Sequence, residues 1–405
     1  MADNKDKKVL NVPALRFPEF TEEWRLVHLD EIAEFQKHRI STSLLNNSNY
    51  ISTENILQNF EGIQSSPSIP ANTNVIEYQK GDILLSNIRP YLKKVWFADR
   101  KGGCSADVFV LRGDKCDQHF LYYVIASDRF INYVMSGAKG VKMPRGDKSQ
   151  MEKYAFSIPI NTEQRKIAKF LSILDERIRL QNKIIEDLKK LKSAIVEMIL
   201  CKQGGVLLKL GDVGSFIRGL TYSSEDIAED INATTVIRAN NLNYGNNVSK
   251  KDVVYVNKKP TEIQILRKGD IVICMANGSS SLVGKNSYYS FDDRQSTIGA
   301  FCGIYRSSQP LVKWLMQSQR YRRLVYQSLQ GGNGAIANLN GDDILNMTFY
   351  VVEDKKSVSI LSALVLIENS IAINEKLQEL YSMQKEYLLQ HLFILTVGSI
   401  DIPFV

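Results

Sequence analysis

The sequence predicts a mixed α/β (α+β) protein in which two tandem globular domains alternate with two long helices. This prediction depends on an internal duplication, on short β-type runs bounded by Gly, Asn, Ser and Pro, and on a heptad repeat that ends each copy. The two helices should pair as an antiparallel coiled coil and relate the copies by a pseudo-twofold axis.

Length and composition exclude several classes of protein. The chain has 405 residues, 44% hydrophobic and 23% charged, which fits about two or three soluble domains and excludes wholesale disorder. Its longest apolar run, residues 360–367, is shorter than the roughly 20 residues of a membrane span. The polar start lacks the apolar core of an export signal, so we expect a cytoplasmic protein without a membrane partner. The five cysteines are far apart and form no Cys-x-x-Cys pair, which predicts neither a disulfide framework nor a metal site.

The duplication consists of matches that occur in the same order in both halves of the chain. Residues 28–33 align with 209–214, the Lys-Gly-Asp-Ile run of 80–83 recurs at 268–271, and Tyr123, Ser127 and Arg129 align with Trp314, Ser318 and Arg320. The offset grows from 181 to 188, 191 and finally 193 residues, as small loop insertions into one ancestral unit would produce.

Each copy has the same predicted order of elements. β-type runs at 81–86 and 270–275 precede one helix over 119–135 in copy one and over 311–329 in copy two. A glycine-rich loop follows at 136–146 and 331–341, and a strand near 154–160 and 347–352 closes each domain.

A long helix ends each copy and has an apolar seam at alternating spacings of four and three residues. The residues predicted to pair the helices are Ile167, Leu171, Leu174, Ile178, Ile185, Leu188, Ile195, Leu364, Ile367, Ile371, Tyr381, Leu388 and Leu392. Gln181, Asn374 and Gln378 interrupt the seams; they either fix the register or face solvent where the coil opens. Together the patterns predict a polar leader at 1–16, globular domains at 17–158 and 204–350, long helices at 159–203 and 351–395, and a tail at 396–405.

Basic residues cluster locally, although the net charge is only +7. Residues 294–341 contain no Asp or Glu, and their basic residues are Arg294, Arg306, Lys313, Arg320, Arg322 and Arg323. Two shorter basic runs lie at 89–101 and 139–148. Such stretches on a near-neutral chain predict a surface that faces a polyanion; a solvated face that merely lacks acids is the alternative.

Different loops on a shared frame predict two non-identical sites for double-stranded DNA. The loop at 86–94 is basic and aromatic, whereas its match at 276–286 is rich in Asn, Ser and Gly. The expected DNA contacts are Arg89, Tyr91, Lys93, Lys94, Lys139, Lys142, Arg145 and Lys148 in copy one, Asn277, Ser279, Ser280, Lys285, Asn333, Asn338 and Asn340 in copy two, and Arg320, Arg322 and Arg323 for phosphates. For each residue the alternative is an ordinary surface position. We expect Arg89→Ala to weaken recognition of one half-site only.

From about residue 15 to residue 393 the chain resembles the specificity subunits of type I restriction-modification systems. The most specific motif is Pro-x-x-x-Glu-Gln-x-x-Ile followed by Leu-Asp-x-x-Ile at 159–178, and the opening Leu-Arg-Phe-Pro-Glu-Phe-x-x-x-Trp at 15–24 is also similar. Copy two departs from the first motif, because Val352 and Lys356-Ser357 stand where copy one has Pro159 and Glu163-Gln164.

The resemblance implies that each domain is a target recognition domain for one half of a bipartite, asymmetric DNA site. It implies that the helices act as a ruler for the unread spacer and dock two modification (methyltransferase) subunits, which carry S-adenosylmethionine and methylate adenine. Two restriction subunits, which use ATP and Mg, can also join. On this interpretation the chain has no catalytic residue, binds no cofactor and holds no metal.

Other functions have weaker support in the sequence. The loop at 278–286 resembles a phosphate loop, but it has five residues between its glycines where four are needed, and it ends in Asn. Residues 332–337 resemble a dinucleotide fingerprint without the long helix that should follow. The main rival is a coiled-coil scaffold with weak or no nucleic-acid binding. An RNA-binding module would need a pattern of aromatic stacking platforms that is not recognisable here.

Overall fold

The computed structural model describes residues 11–65, 68–201, 205–329, 337–352 and 354–394. The chain divides into two compact units, residues 1–181 with 377–405, and residues 182–376. Both divisions fall inside the long helices, so each unit contains one globular domain together with part of each helix. The boundaries predicted near 158 and 350 therefore separate segments that pack together within a unit.

The first unit has two four-stranded sheets and a two-stranded one. Its strands are β1 (Arg25–His28), β2 (Ala33–Phe35), β3 (Arg39–Ser41), β4 (Tyr50–Ile51), β5 (Asn74–Tyr78), β6 (Ile83–Ser86), β7 (Val95–Phe97), β8 (Gly102–Cys104), β9 (Val108–Gly113) and β10 (Ala155–Ile158). Its helices are α1 (Leu29–Ile32), α2 (Gln118–Ile125), α3 (Asp128–Ser136), α4 (Lys148–Glu152) and the first part of α5 (Asn161–Glu197). The sheet orders are β2-β9-β6-β7, β3-β5-β8-β4 and β1-β10, and β4 with β8 is a parallel pair.

The second unit repeats this arrangement. Its strands are β11 (Val206–Lys209), β12 (Gly214–Arg218), β13 (Ile227–Ala228), β14 (Thr234–Ile237), β15 (Val254–Val256), β16 (Ile271–Cys274), β17 (Ala276–Asn277), β18 (Asn286–Tyr288), β19 (Ser296–Ile298), β20 (Cys302–Ser307), β21 (Ala337–Asn338) and β22 (Thr348–Val351). Its helices are α6 (Leu210–Val213), α7 (Val312–Leu315), α8 (Gln319–Leu329), α9 (Gly341–Leu345) and most of α10 (Asp354–His391). The sheet orders β12-β20-β16-β18 and β11-β22 match those of the first unit, and β17 pairs with β21. The third sheet, β13-β15-β14-β19, again contains one parallel pair, β14 with β19, but here the earlier strand of that pair lies next to β15, whereas in the first unit the later strand, β8, lies next to β5.

The prediction of a single helix before each glycine-rich loop is wrong, because each unit has two helices there. The break falls at Ser127 between α2 and α3 and at Ser318 between α7 and α8. The Ser127 hydroxyl accepts the Phe130 backbone N–H at 3.3 Å, and that of Ser318 accepts the Tyr321 N–H at 3.2 Å. A serine hydroxyl that satisfies a backbone N–H starts a new helix, so these matched serines act as N-caps.

The repeated Lys-Gly-Asp-Ile run builds a tight turn and a buried ion pair. Gly81 and Gly269 have φ values of +92° and +104°, a conformation that glycine adopts without steric cost. The following aspartates are buried, and each holds an arginine with two hydrogen bonds: Asp82 with Arg112 and Asp270 with Arg306. The run is therefore a structural clamp in both units.

The two motifs of the family resemblance meet at the start of α5. Glu163 is fully buried and accepts two hydrogen bonds from Arg16, at 2.8 and 2.7 Å. Gln164 accepts the Asp117 backbone N–H at 2.8 Å and donates to the Pro159 carbonyl at 2.8 Å. Within the predicted polar leader, Asn11 and Arg16 form hydrogen bonds with Trp24 and Glu163 of the first unit. Residues 1–10 and the tail at 396–405 lie outside the described residues.

Candidate nucleic-acid interface

In the first unit the backbone joins the two loops that the sequence predicts to contact DNA. The Arg89 N–H donates to the Pro144 carbonyl at 2.8 Å, and the Gly146 N–H donates to that of Asn87 at 3.1 Å. Ile88 and Arg145 also form a β-bridge. The loop at 86–94 and the glycine-rich loop at 136–146 therefore form one surface.

The second unit joins its equivalent loops in the same way. Ala276 pairs with Asn338 through β17 and β21, and the Leu339 N–H donates to the Met275 carbonyl at 2.7 Å. The repeat offsets of 188 and 193 carry Ile88 onto Ala276 and Arg145 onto Asn338. The same bridge is thus made twice from unrelated side chains, which is how one backbone frame can present two chemistries.

The predicted DNA contacts in the loop at 86–94 differ in their exposure and in their partners within the protein. Tyr91 is 49% exposed, and the Arg89 side chain is half-buried with its Nε lacking a hydrogen-bond partner among the described residues. Lys93 pairs with Asp128 at 2.7 Å. Lys94 donates to the Thr53 carbonyl at 2.6 Å, and burial lowers the pKa of its ammonium. Lys94 is therefore a support of the loop rather than part of its outer face.

The glycine-rich loop of copy one closes as a small hairpin, in which Lys139 and Arg145 exchange backbone hydrogen bonds. Lys139 pairs with Asp147 at 2.8 Å and Arg145 with Asp107 at 3.1 Å, yet both basic side chains are more than half exposed. Lys142 is exposed at the tip. Lys148 lies on α4, where its ammonium is 5.1 Å from the centre of the Phe35 ring.

In copy two several predicted contacts organise the loop itself. The Asn277 side chain accepts the Ser279 N–H at 3.0 Å, and Ser279 is hydrogen-bonded to Ser281. Asn340 accepts the Asp343 N–H at 2.9 Å as the N-cap of α9, a position that Asp147 fills for α4 in copy one. Ser280 and Asn338 are exposed, and Asn333 lies outside the described residues.

The basic stretch at 294–341 divides into two groups. Arg306 is held by Asp270, and Lys313 forms an ion pair with Glu368, so acids from outside the stretch neutralise both. By contrast, Arg320, Arg322 and Arg323 are exposed on α8. The basic residues of the stretch that remain exposed are therefore Arg294 and the three arginines of α8.

A pocket of about 480 Å³ in the second unit gathers Lys285, Ser280 and Arg322. Two further lining residues, Tyr244 and Tyr326, are 58% and 65% exposed, and the Lys285 ammonium lies 4.8 Å from the centre of the Tyr244 ring. The sequence reading missed both tyrosines. Tyr244 could have been predicted as a site residue because it lies in the Asn-rich loop 240–247. Tyr326 has no such feature, because its position is that of any residue on a predicted helix.

The phosphate-loop alternative has no support in the geometry. After Gly284 the chain continues into strand β18, whereas a phosphate loop needs a following helix whose N-terminal N–H groups point at the phosphate. Within the described ranges no group of three or more His, Cys, Asp or Glu side chains could hold a metal ion, and the five cysteines are thiols.

The two long helices are antiparallel within each unit. Their contacts are Asp175 with Lys385 and Arg177 with Tyr381 in the first unit, and Lys189 with Glu375 and Lys192 with Glu368 in the second. In each unit the partner's number falls as the residue number rises.

All the predicted seam residues are buried or half-buried. The buried ones are Ile167, Leu171, Leu174, Ile185, Leu364, Ile371, Leu388 and Leu392, and the half-buried ones are Ile178, Leu188, Ile195, Ile367 and Tyr381. Gln181 is only 6% exposed, which contradicts the solvent-facing alternative for this residue.

One helical segment of the described chain, Ser357–His391 in α10, is long and apolar enough to cross a membrane by length and composition alone. The search for an uninterrupted apolar run missed it because polar residues are spread along the segment. Glu368 and Lys385 of this segment form ion pairs. Only 17% of its most apolar 18-residue stretch is buried. Much of its apolar surface is therefore available to a partner.

Comparison with known proteins finds relatives of the first copy. Residues 21–190 match the family model of the Type I restriction modification DNA specificity domain. The EcoKI specificity subunit of Escherichia coli (strain K12) is 28% identical over 164 residues, which cover 39% of this chain and 35% of that protein. The match thus spans about a third of that relative's length. The MjaVIII specificity subunit of Methanocaldococcus jannaschii is 25% identical over 299 residues, 67% of each chain.

Solved structures extend the likeness to the whole chain. The S subunit of a type I restriction-modification system from M. genitalium superposes with a TM-score of 0.62 at 16% identity, covering 94% of this chain and 99% of that one. A chain from a structure that describes complex assembly and conformational transition of the type I R-M system gives 0.52 at 17% identity, covering 91% and 96%. The predicted fold class is confirmed. Residues 21–190 therefore match the DNA specificity domain of type I restriction-modification systems, and the chain as a whole shares the fold of the solved S subunits.

Proposed function

We propose that this chain is the DNA specificity subunit of a type I restriction-modification complex. Each globular domain reads one half of a bipartite, asymmetric double-stranded DNA site, and the paired helices set the spacer. Two modification subunits dock on the helices, and two restriction subunits join the larger assembly.

The observation that carries this proposal is the bridge made twice between equivalent loops. Ile88 with Arg145 and Ala276 with Asn338 occupy the same place in the repeat, yet the first surface is basic and aromatic and the second is rich in Asn and Ser. Arg and Lys contact phosphates and guanine edges, whereas Asn suits adenine. A scaffold would have no need for two such surfaces on one frame.

Particular side chains in each unit are suited to contact DNA. The buried Arg89 Nε has no hydrogen-bond partner among the described residues, and a buried donor left unpaired costs about 1–3 kcal/mol. In the second unit Lys285, Arg322 and Tyr244 converge on one pocket, so a basic and aromatic surface exists there as well.

Exposed apolar residues on the helices support docking of two copies of one partner. Ile173 and Leu180 of α5 are 44% and 45% exposed, and Leu366 and Ile373 of α10 are each 69% exposed. The second pair follows the first at the helix offset of 193 residues. Equivalent apolar patches on two repeats fit two identical subunits, because one binding surface recurs.

The chemistry of the complex then belongs to the partners. The modification subunits hold S-adenosylmethionine and transfer its methyl group to adenine, and the restriction subunits use ATP and Mg. This chain supplies recognition and geometry without a catalytic residue, and the complex acts on DNA in the cytoplasm.

The test is co-expression with a type I modification subunit from the same genome, followed by methyl transfer from labelled S-adenosylmethionine to genomic DNA mapped at single-base resolution. We expect a complex with two methyltransferase copies and a bipartite adenine-methylated motif that requires both proteins. A chain that forms no complex and directs no motif-specific methylation would instead be a scaffold.

A matched pair of variants tests the docking surface separately. Leu366→Gln with Ile373→Gln should reduce the complex from two methyltransferase copies to one, measured by native mass spectrometry. Ile231→Gln is the control, because Ile231 is 70% exposed but belongs to the turn between β13 and β14 rather than to a long helix. Two copies retained in the helix variant would contradict this docking surface.

A further inference from the structure

A half-buried acid on each long helix joins that helix both to the opposite helix and to the recognition domain. In the first unit this acid is Asp175 of α5. One carboxylate oxygen is 2.6 Å from the Lys385 ammonium on α10, and the other accepts the Tyr123 hydroxyl of α2 at 2.7 Å. Tyr123 is 3% exposed, so this hydrogen bond lies at the base of the globular domain.

The second unit contains the same arrangement with the helices exchanged. Glu368 of α10 is 3.3 Å from the Lys192 ammonium on α5, and its other oxygen pairs with Lys313 of α7. Trp314 completes the cluster, with its ring centre 5.4 Å from the Lys192 ammonium and 4.7 Å from that of Lys313.

The repeat offsets show that the two clusters are equivalent. An offset of 193 carries Asp175 onto Glu368 and Lys192 onto Lys385, and an offset of 191 carries Tyr123 onto Trp314. The donor from the recognition domain differs: a tyrosine hydroxyl in one unit, and in the other a lysine ammonium beside the matched aromatic. What is the same in both is a three-way junction of domain, own helix and opposite helix.

A junction of this kind can restrict the length of the DNA spacer between the two half-sites, because it limits movement of the recognition domain on its helix. One extra base pair moves the second half-site by about 3.4 Å along the duplex and rotates it by about 35°. A recognition domain that rocks on its helix by a few ångströms would accept both spacers. A hydrogen bond to a carboxylate that is itself held by the opposite helix resists that rocking, because its strength depends steeply on distance and angle.

We propose that Asp175 and Glu368 are the positioning residues for spacer selectivity, acting through Tyr123 and Lys313. They fix each recognition domain to both helices, so the complex rejects sites whose halves are one base pair too near or too far. This inference rests on the proposed function and adds to it the residues that make the ruler rigid.

The test uses the full complex with its modification subunits and Tyr123→Phe, which removes one hydroxyl and keeps the buried ring. Methylation rates are measured on duplexes that carry the cognate half-sites with the cognate spacer, one base pair fewer and one more. We expect the preference for the cognate spacer to fall about tenfold, the change that losing one hydrogen bond to a charged group can produce. Glu368→Gln should have the same effect from the second unit.

Tyr133→Phe is the matched control, because the Tyr133 hydroxyl donates to the Gln150 carbonyl inside the recognition domain at 3.1 Å. This variant should keep the wild-type preference for the cognate spacer. Unchanged spacer preference in both Tyr123→Phe and Glu368→Gln, with wild-type complex formation, would overturn the inference. A wild-type complex that methylates no bipartite motif would overturn the proposed function instead, so the two failures are distinguishable.

Discussion

Replacing Arg306 by alanine separates a structural role from a DNA-binding one. The Asp270 side chain is 2% exposed and the Arg306 side chain 20% exposed, so the variant leaves a buried carboxylate without its cation. Arg306 also donates to the Ile263 and Ile265 carbonyls. Removing one partner of a buried pair costs about 3–5 kcal/mol, and the partial exposure of Arg306 places the expected loss near about 3 kcal/mol.

The equivalent change in copy one, Arg112→Ala, gives a stability loss with which that of Arg306→Ala can be compared. Arg112 is 42% exposed beside Asp82, so water can replace part of its interaction, and Arg112→Ala should cost about 1–2 kcal/mol. Urea unfolding of the full chain, followed by circular dichroism, measures both losses. The salt dependence of DNA binding by Arg306→Ala should not change. A loss of about 0.9 in the slope of log K against log salt, with unfolding unaffected, would refute the clamp and make Arg306 a phosphate contact.

Two further predictions concern single side chains of the second unit. Burial opposes ionisation of Asp293, but hydrogen bonds from Lys250 and Tyr289 outweigh it and lower its pKa to about 2. The stabilising contribution of the Asp293 carboxylate is therefore present above about pH 4 and is lost as the pH falls toward about 2. The stability advantage of wild type over Asp293→Asn should therefore shrink across that interval in urea titrations; a constant difference would contradict this. Ser318→Ala should destabilise the chain by about 1 kcal/mol, because it removes the N-cap of α8. Ser280→Ala is the control, because Ser280 is exposed. Equal stability of the two variants would contradict a stabilising N-cap at Ser318.

Periodic features were predictable from the sequence. The seam residues repeat at helical spacing because one face of each helix is buried, so Leu171 and Leu364 could be chosen before their burial was known. The duplicated order of elements followed from the ordered matches for the same reason: a repeated fold needs repeated core and turn residues.

Side-chain partners were not predictable, because they depend on segments far apart in the chain. Arg306 was read as part of a basic surface, yet its acid lies 36 residues away. Asn340 was read as a DNA contact, but a helix that starts one residue later uses it as a cap. The sequence indicates which residue types a loop contains, whereas the fold decides which of their side chains already have a hydrogen-bond or ion-pair partner within the protein.

The central claim is that the two domains read different halves of one site. The most direct measurement compares Arg89→Ala and Lys285→Ala in the assembled complex. Binding is measured on duplexes in which the first half-site, the second half-site or neither is scrambled. The account predicts that each variant loses discrimination at one half-site, that the two variants lose it at different halves, and that the other half is still read as in wild type. Equal losses at both half-sites, or losses at the same half in both variants, would contradict it.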